Sequence, residues 1–410
     1  MLEGEIEVHG GKNSVLKALP ASLLFAGPVG FDNVPRIEDV FRMNELLTEL
    51  GAKVSKKGKR LFEVDPRTLK GTSLKKELAK SIRVSVVLAG PLLARAKRAA
   101  FPHPGGDVIG KRPIDIFLEG WRAFGAKIRA NKEGYEISAK KIKGADFTFR
   151  QPSVTATETL MLTAVLAKGR TILRNAALEP EIPALAEFLN SSGAAIKGAG
   201  TPTMEIVGTD GRLLRAKKPF RIIPDRIDAG SFLILGALLG KKIKIKNCEP
   251  KHLETPIAVL ESCGAKIKRG PNWLSVSRPR HLKSRDLKTK EYPGFATDLQ
   301  APYTVLMTQA GGQSLIHETV FEGRLNYIEE LNKMGASITP CDPHRILVFG
   351  PTPLKGREIA APDIRAGLAF LMAALCAKGE SRIKNVYQID RGYEKIEERL
   401  AKIGAEIKRI

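Results

Sequence analysis

At 410 residues with 43% apolar composition, the chain is too long for one ordinary core, so two or three domains are expected. No apolar run reaches the roughly 18 residues of a membrane span; VSVVLAGPLLA and FLILGALLG are short and carry Gly or Pro. The 67 Lys+Arg against 44 Asp+Glu, a net +23, raise a nucleic-acid partner, but the lysines are scattered with few aromatics between them for base stacking, which favours a solvated basic surface that can coexist with a site for a polyanionic small substrate.

The chain opens on MLEGEIEVHGG. It has neither the basic nor the apolar region of a signal peptide, and its alternation reads as a strand. HGGKN follows; it lacks the upstream Gly and the Ser/Thr of a phosphate-binding P-loop. Lys12 and Asn13 nevertheless stand at a helix start, where free backbone N–H groups favour anions. A lysine that merely begins a helix explains them equally well. The next periodic run, LLTELGAKV, reads as a helix closed by a glycine in the left-handed cap, then an alternating strand AKVSKKGKRLFEV. Arg83 lies on the otherwise apolar KSIRVSVVLAG, as a snorkelling side chain or a ligand contact. PGGDVIGKRP then sets Asp107 between two glycines and the Lys111-Arg112-Pro113 triplet.

The helix-Gly-strand pattern recurs six times, with its glycine at Gly51, Gly125, Gly193, Gly264, Gly335 and Gly404, about 70 residues apart, the signature of an internal repeat. A second element recurs too: an apolar helix, a Gly, then a basic strand, as in TLMLTAVLAKGRTILRNA and SFLILGALLGKKIKIKNC. Helices apolar on most sides belong inside. Each repeat therefore reads as strand–helix–strand–helix–strand, and six repeats divide into two domains of three. The break is expected near LRAKKPFRIIPD, 214–225. The N-terminal strand closes the other domain, so the chain crosses twice, and a cleft between crossings is a natural ligand site.

Asp298 opens an apolar helix in GFATDLQAPY, where a first-turn Asp is also a sound structural choice. Arg324, Arg365 and Arg391 stand at the edges of apolar segments in the second half. Together they describe a pocket for phosphate or carboxylate. Four dispersed cysteines without a CxxC pair fit a reducing cytoplasm, and six histidines lack metal-ligand spacing.

The stretches GGKNSVLKALPASLL, PGGDVIGKRPID, NAALEPEIPALAEFLNSSGA, PDRIDAGSFL, TDLQAPYTVL, ETVFEGR and YQIDRGYEKIEERLAKIGA resemble, in order along essentially the whole chain, the enolpyruvyl transferases. They are most similar to the branch acting on UDP-N-acetylglucosamine; the Gly-Asn-Ala-Gly-Thr segment of the EPSP synthase branch is missing. The resemblance implies two inside-out α/β domains, each of three βαβαββ units. It places them at 13–221, and at 1–12 plus 222–410, with the active site in the cleft between them. It implies transfer of the enolpyruvyl group of phosphoenolpyruvate to the 3′-hydroxyl of UDP-N-acetylglucosamine, a step of peptidoglycan precursor synthesis, with no metal or organic cofactor, in a cytoplasmic monomer without membrane or nucleic-acid partners.

By the same resemblance Lys12, Asn13, Arg112, Arg324, Arg365 and Arg391 hold phosphoenolpyruvate, with Lys12 and Arg391 also catalytic. Asp298 accepts the sugar hydroxyl proton. Arg83, Arg112, Pro113, Ile114, Asp115, Ile116, Ser153, Val154, Asp298 and Val320 contact the UDP-sugar. In the family the loop after PGG is a lid whose next residue is usually a proton-carrying Cys, the residue that fosfomycin alkylates. Here it is Asp107, as in some members. Gln151, Thr155, Phe117 and Gln388 depart from a frequent Lys, Gly, His and His, three of them near the expected nucleotide site. Those departures motivate a second reading, a non-catalytic paralogue that binds UDP-sugars.

Overall fold

All six recurring glycines lie at positive φ, from 89° at Gly125 to 108° at Gly193. A side chain is strained in that region and glycine is not, so each ends its helix, and the first five turn the chain into a following strand. The computed structural model in which these angles are measured describes residues 1–106, 109–110 and 112–410.

One repeat shows how the pattern becomes architecture. Leu287–Lys288 runs parallel to Gly312–His317, and the crossover between them carries the helix Gln300–Thr308. The helix Ile328–Lys333 follows, then Ser337–Asp342 and Arg345–Gly350, which add antiparallel strands to the same sheet. Parallel neighbours need a long crossover, and a helix supplies it. The basic stretch after Gly51 is likewise a hairpin and not one long strand: Lys53–Lys56 pairs antiparallel with Phe62–Asp65. The intervening residues make the turn, with Lys57 and Gly58 N–H both donating to Leu61 O.

The chain divides into two units. One holds Gly10–Gly106 and Arg112–Ile223; the other holds Met1–His9, Pro224–Ile410 and, from the stretch between, Ile109 and Gly110. Each has its own apolar cluster and no buried apolar residue is shared. The first unit contains three sheets, of four, three and four strands. Its first sheet is completed by Phe220–Arg221, parallel to Val29–Asp32. At Gly10 a Cβ would overlap the Asn33 carbonyl and press on Ile222, so the backbone passes there only as glycine.

The second unit contains sheets of four, four and two strands. The first strand of the chain, Leu2–Glu7, belongs here, parallel to Gly240–Lys246. Lys241 pairs with Glu3, and Lys244 and Lys246 with Glu5, so part of the basic KKIKIK run is neutralised across that ladder. The sixth repeat departs from the pattern. No strand follows Gly404; instead Arg409 forks onto Asp390 and Glu397.

The apolar helices lie inside, as their composition requires. All nine residues of Gln300–Thr308 are buried, and in Arg226–Leu239 everything from Ile227 to Leu238 is. Each fully buried Leu, Ile, Val or Phe contributes about 1.5–3 kcal/mol. Their hydroxyls are satisfied within the helix: Thr159 donates to Thr155 O at 2.7 Å, Thr163 to Thr159 O at 2.9 Å, and Ser231 to Ile227 O at 2.7 Å, the back-bonding that lets Ser and Thr sit in a buried helix. Among the described residues no helix is long and apolar enough to cross a membrane.

Candidate functional site

In the second unit, Asp298 lies in the single turn Thr297–Leu299 that leads into the buried helix Gln300–Thr308. Its carboxylate is held by arginines. Oδ1 meets Arg365 Nε at 3.1 Å and Arg324 Nη1 at 3.3 Å. Both guanidiniums are buried, at 6% and 5% exposure, while the Asp298 side chain keeps 24%. Burial pushes the carboxyl up, but Arg365, Arg324 and Arg226 outweigh it and hold Asp298 well below the usual carboxylate range. It is a carboxylate at any physiological pH.

Arg365 is placed by its helix. Asp363 caps Ile364–Cys376 by accepting from the N–H groups of Arg365 and Ala366 at 2.8 and 3.1 Å. The Arg365 head also donates to Tyr393 Oη at 3.0 Å, its carbon 5.4 Å from that ring's centre. Arg324 lies over the Phe321 ring at 5.2 Å, and among the described residues its Nε and Nη1 have no hydrogen-bond partner. A buried guanidinium with open donors and an ion pair is well prepared for an anion. Arg391, 6% exposed, follows the short helix Tyr387–Asp390 and donates to Gln388 Oε1 at 2.9 Å. Val320 sits in the turn before Arg324, and Gly323 N–H donates to Ile109 O at 3.1 Å. Asp107, and with it the acid expected on the lid, lies outside the described residues, as does Lys111.

In the first unit, the helix Lys12–Ala21 starts from Gly11, which has no side chain to cap it. Lys12 Nζ lies 2.8 Å from Asp39 Oδ2, and Asp39 is 3% exposed. Arg83 opens the turn Arg83–Leu88. Burial, and then the nearby Arg112, lower its guanidinium to about 10. Two arginines that repel one another are stabilised together by an anion. Pro113 is exposed, Ile114 and Ile116 have their side chains in the core, and Asp115 pairs with Arg150. Only the backbone of the two isoleucines is left for a ligand. Ser153 caps the helix Val154–Val165, its Oγ accepting from Ala156 N–H at 3.4 Å. Of the departures from the family pattern, Gln151 is exposed, Thr155 is in the first turn of that helix, and Phe117 is buried against Trp121 with ring centres 6.1 Å apart.

Within its own unit each set is thus partly assembled. Asp298, Arg324 and Arg365 form one ion-paired group; Arg83 and Arg112 are brought close enough to repel one another. Three partners escape sequence reading. Asp39 holds Lys12, Tyr393 holds Arg365, and Glu158, fully buried, lies 3.2 Å from Lys17 Nζ beneath the Lys12 helix. Each is a single polar residue in a long-range contact, and no periodicity marks it. Among the described residues no cluster of three or more His, Cys, Asp or Glu is placed to hold a metal ion.

A family model described as EPSP synthase (3-phosphoshikimate 1-carboxyvinyltransferase) matches residues 1–400. A UDP-N-acetylglucosamine 1-carboxyvinyltransferase of Desulfatibacillum aliphaticivorans is 42% identical over 411 residues, covering 100% of this chain and 97% of its own. One of Acidobacterium capsulatum is 43% identical over 415 residues, covering 100% and 94%. Among solved structures, the enolpyruvyl transferase NikO from Streptomyces tendae superposes with a TM-score of 0.90 at 24% identity, over 99% of this chain and 96% of that one. EPSP synthase from Acinetobacter baumannii gives 0.74 at 18% identity, over 99% and 97%. At those identities the structural likeness carries the fold, which is the two-domain α/β fold of these enzymes.

Proposed function

Because the chain belongs to the enolpyruvyl transferase family whose model is named for EPSP synthase, we propose that it performs the reaction of its relatives in that family. It is an enzyme that transfers the enolpyruvyl group of phosphoenolpyruvate to the 3′-hydroxyl of UDP-N-acetylglucosamine and releases phosphate, a step towards cell-wall precursor. The observation that carries this is full-length identity of about 42% to several curated proteins of that activity. We place it in the cytoplasm as a monomer that meets small molecules and not nucleic acid.

The residues divide the work as follows. Lys12, Asn13, Arg112, Arg324, Arg365 and Arg391 balance the phosphate and carboxylate of phosphoenolpyruvate. Arg83, the segment 112–116, Ser153, Val154 and Val320 hold the UDP-sugar. Asp107 gives a proton to the methylene carbon, leaving cationic character at C-2. The sugar hydroxyl bonds to C-2 as its proton passes to Asp298. Phosphate then leaves, and the proton on the methyl carbon returns to the acid. A carboxylate held this far below its usual range is a weak base towards an alcohol, so the transfer must accompany C–O bond formation, when the hydroxyl becomes strongly acidic. Anions that draw Arg324 and Arg365 away from Asp298 raise its basicity when substrate is present.

The test is phosphate release by purified protein. Release dependent on both phosphoenolpyruvate and UDP-N-acetylglucosamine supports the reading. No release with UDP-sugar binding intact supports the non-catalytic paralogue, and turnover with shikimate 3-phosphate in place of the UDP-sugar supports the EPSP synthase reaction.

A further inference from the structure

Glu318 is a carboxylate between the proposed proton acceptor and the proposed nucleotide turn to which that mechanism gives no work. It follows directly on the strand Gly312–His317 and is 0% exposed. A carboxylate there is costly unless its lone pairs are filled. They are filled from two directions. Oε2 accepts from Thr297 Oγ1 at 2.8 Å, and Thr297 immediately precedes Asp298. Oε1 accepts from Val320 N–H at 2.8 Å and Phe321 N–H at 3.2 Å, in the turn that leads to Arg324. All three donors are neutral.

The base of this clamp is fixed as well. Glu318 N–H donates to His344 O at 2.8 Å, and Glu318 O lies 2.9 Å from His344 Nδ1. Beyond it, Thr319 N–H donates to Thr289 Oγ1 at 2.9 Å. The carboxylate therefore hangs from a rigid strand end and ties two segments that are otherwise held from different elements.

We propose that Glu318 is a positioning residue for the transfer: it sets Asp298, through Thr297, against the Val320–Arg324 turn. This rests on the roles given above to Asp298, Val320 and Arg324. Bonding the turn alone would need only Oε1. The Oε2–Thr297 contact adds to the Arg324–Asp298 ion pair a second, uncharged tie between the turn and the acceptor, and a displacement of about 1 Å at a reacting group is enough to cost a hundredfold in rate.

The experiment compares Thr297→Val, Glu318→Ala, their double variant and Glu318→Gln in the full chain, with two readouts. The first is steady-state phosphate release. Thr297→Val keeps the side-chain shape and removes only the donor, so kcat falls about tenfold or more while KM for both substrates stays within about twofold. The double variant is no worse than Glu318→Ala, since both cut the same tie. Glu318→Gln recovers most of kcat, because its carbonyl still accepts the two N–H groups and its amide donates to the Thr297 hydroxyl. The second readout is hydrogen exchange of the peptide containing Val320 and Phe321 in the substrate-free protein, which Thr297→Val accelerates severalfold. Wild-type kcat and exchange in Thr297→Val, or strictly additive effects in the double variant, overturn the proposal. If the unsubstituted protein releases no phosphate, the functional reading fails, and the exchange arm still decides whether the clamp exists.

Discussion

Glu158→Gln flattens the pH dependence of stability of the first unit. Glu158 is fully buried on Val154–Val165, with Lys17 Nζ 3.2 Å from Oε2. Lys17 also donates to Asn13 O at 2.8 Å. Burial pushes the carboxyl up, Lys17 pulls it down, and Glu181 and Glu179 push it up again, to about 7 against an ordinary 4.5. The folded state thus holds a proton that the unfolded chain has released. Stability from this group is fully present below about pH 4.5, falls as pH rises, and is lost above about 7. The difference of about 2.5 pH at about 1.36 kcal/mol each amounts to about 3 kcal/mol, of which about 2.5 falls between pH 5 and pH 8. The amide cannot titrate. It is close in shape to the protonated acid that the folded protein holds at pH 5, so its own cost is small and does not change with pH. Relative to wild type, the variant therefore regains about 2.5 kcal/mol on going from pH 5 to pH 8. Urea unfolding followed by Trp121 fluorescence reads this directly in a Trp273→Phe background, since Trp121 donates to Thr163 on the same helix as Glu158. An equal difference between variant and wild type at pH 5 and pH 8 refutes the reasoning.

Asp298→Asn removes turnover by at least about a hundredfold, because the amide cannot accept the hydroxyl proton, while circular dichroism stays native; near-wild-type kcat would reduce Asp298 to a partner for Arg324 and Arg365. Prolonged incubation with fosfomycin leaves activity intact and adds no mass, since a carboxylate at Asp107 is a poor nucleophile towards an epoxide and burial pushes the Cys248 and Cys376 thiols up to about 11 and about 12; Asp107→Cys stays active and becomes sensitive, Asp107→Asn loses most turnover, and a fully active Asp107→Asn removes the acid role. UDP-N-acetylglucosamine slows hydrogen exchange in the peptide spanning 104–113, and equal exchange with and without it removes the lid reading.

What was legible in the sequence is what physical chemistry makes periodic. Gly51 and its five counterparts announce themselves because only glycine enters the left-handed cap cheaply. The buried helices announce themselves because they are apolar on most sides. The 52–64 stretch reads as one strand because its alternation runs through SKKGKR, and the turn shows only in the Lys57 and Gly58 bonds to Leu61. The last repeat reads like the others up to Gly404 but has no strand partner beyond it. Individual site residues were named from resemblance, since an Asp at a helix start or an Arg at an apolar edge has an equally good structural explanation. Glu318 opens ETVFEGR, yet no local pattern marks it. Its meaning lies in a contact with Thr297, 21 positions away, and Lys17 with Glu158 is further still.

The parallel pairing of Leu2–Glu7 with Gly240–Lys246 sets a timetable for the ribosome. Residues 2–7 leave the exit tunnel more than two hundred residues ahead of the strand they pair with. The helix before that ladder, Arg226–Leu239, lines the interior of the same unit, so little of that half can close early. The first unit has its last strand, Phe220–Arg221, already in hand by then and can fold while the leading segment waits as an open edge. Closing a loop ten times longer costs only about 2 kcal/mol more in chain entropy. The burden is therefore one of time and exposure and not of final stability: an unpaired strand end is what other chains add to. The acidic Glu3, Glu5 and Glu7 along that end give nascent chains a reason to repel one another until the lysines of the receiving strand arrive.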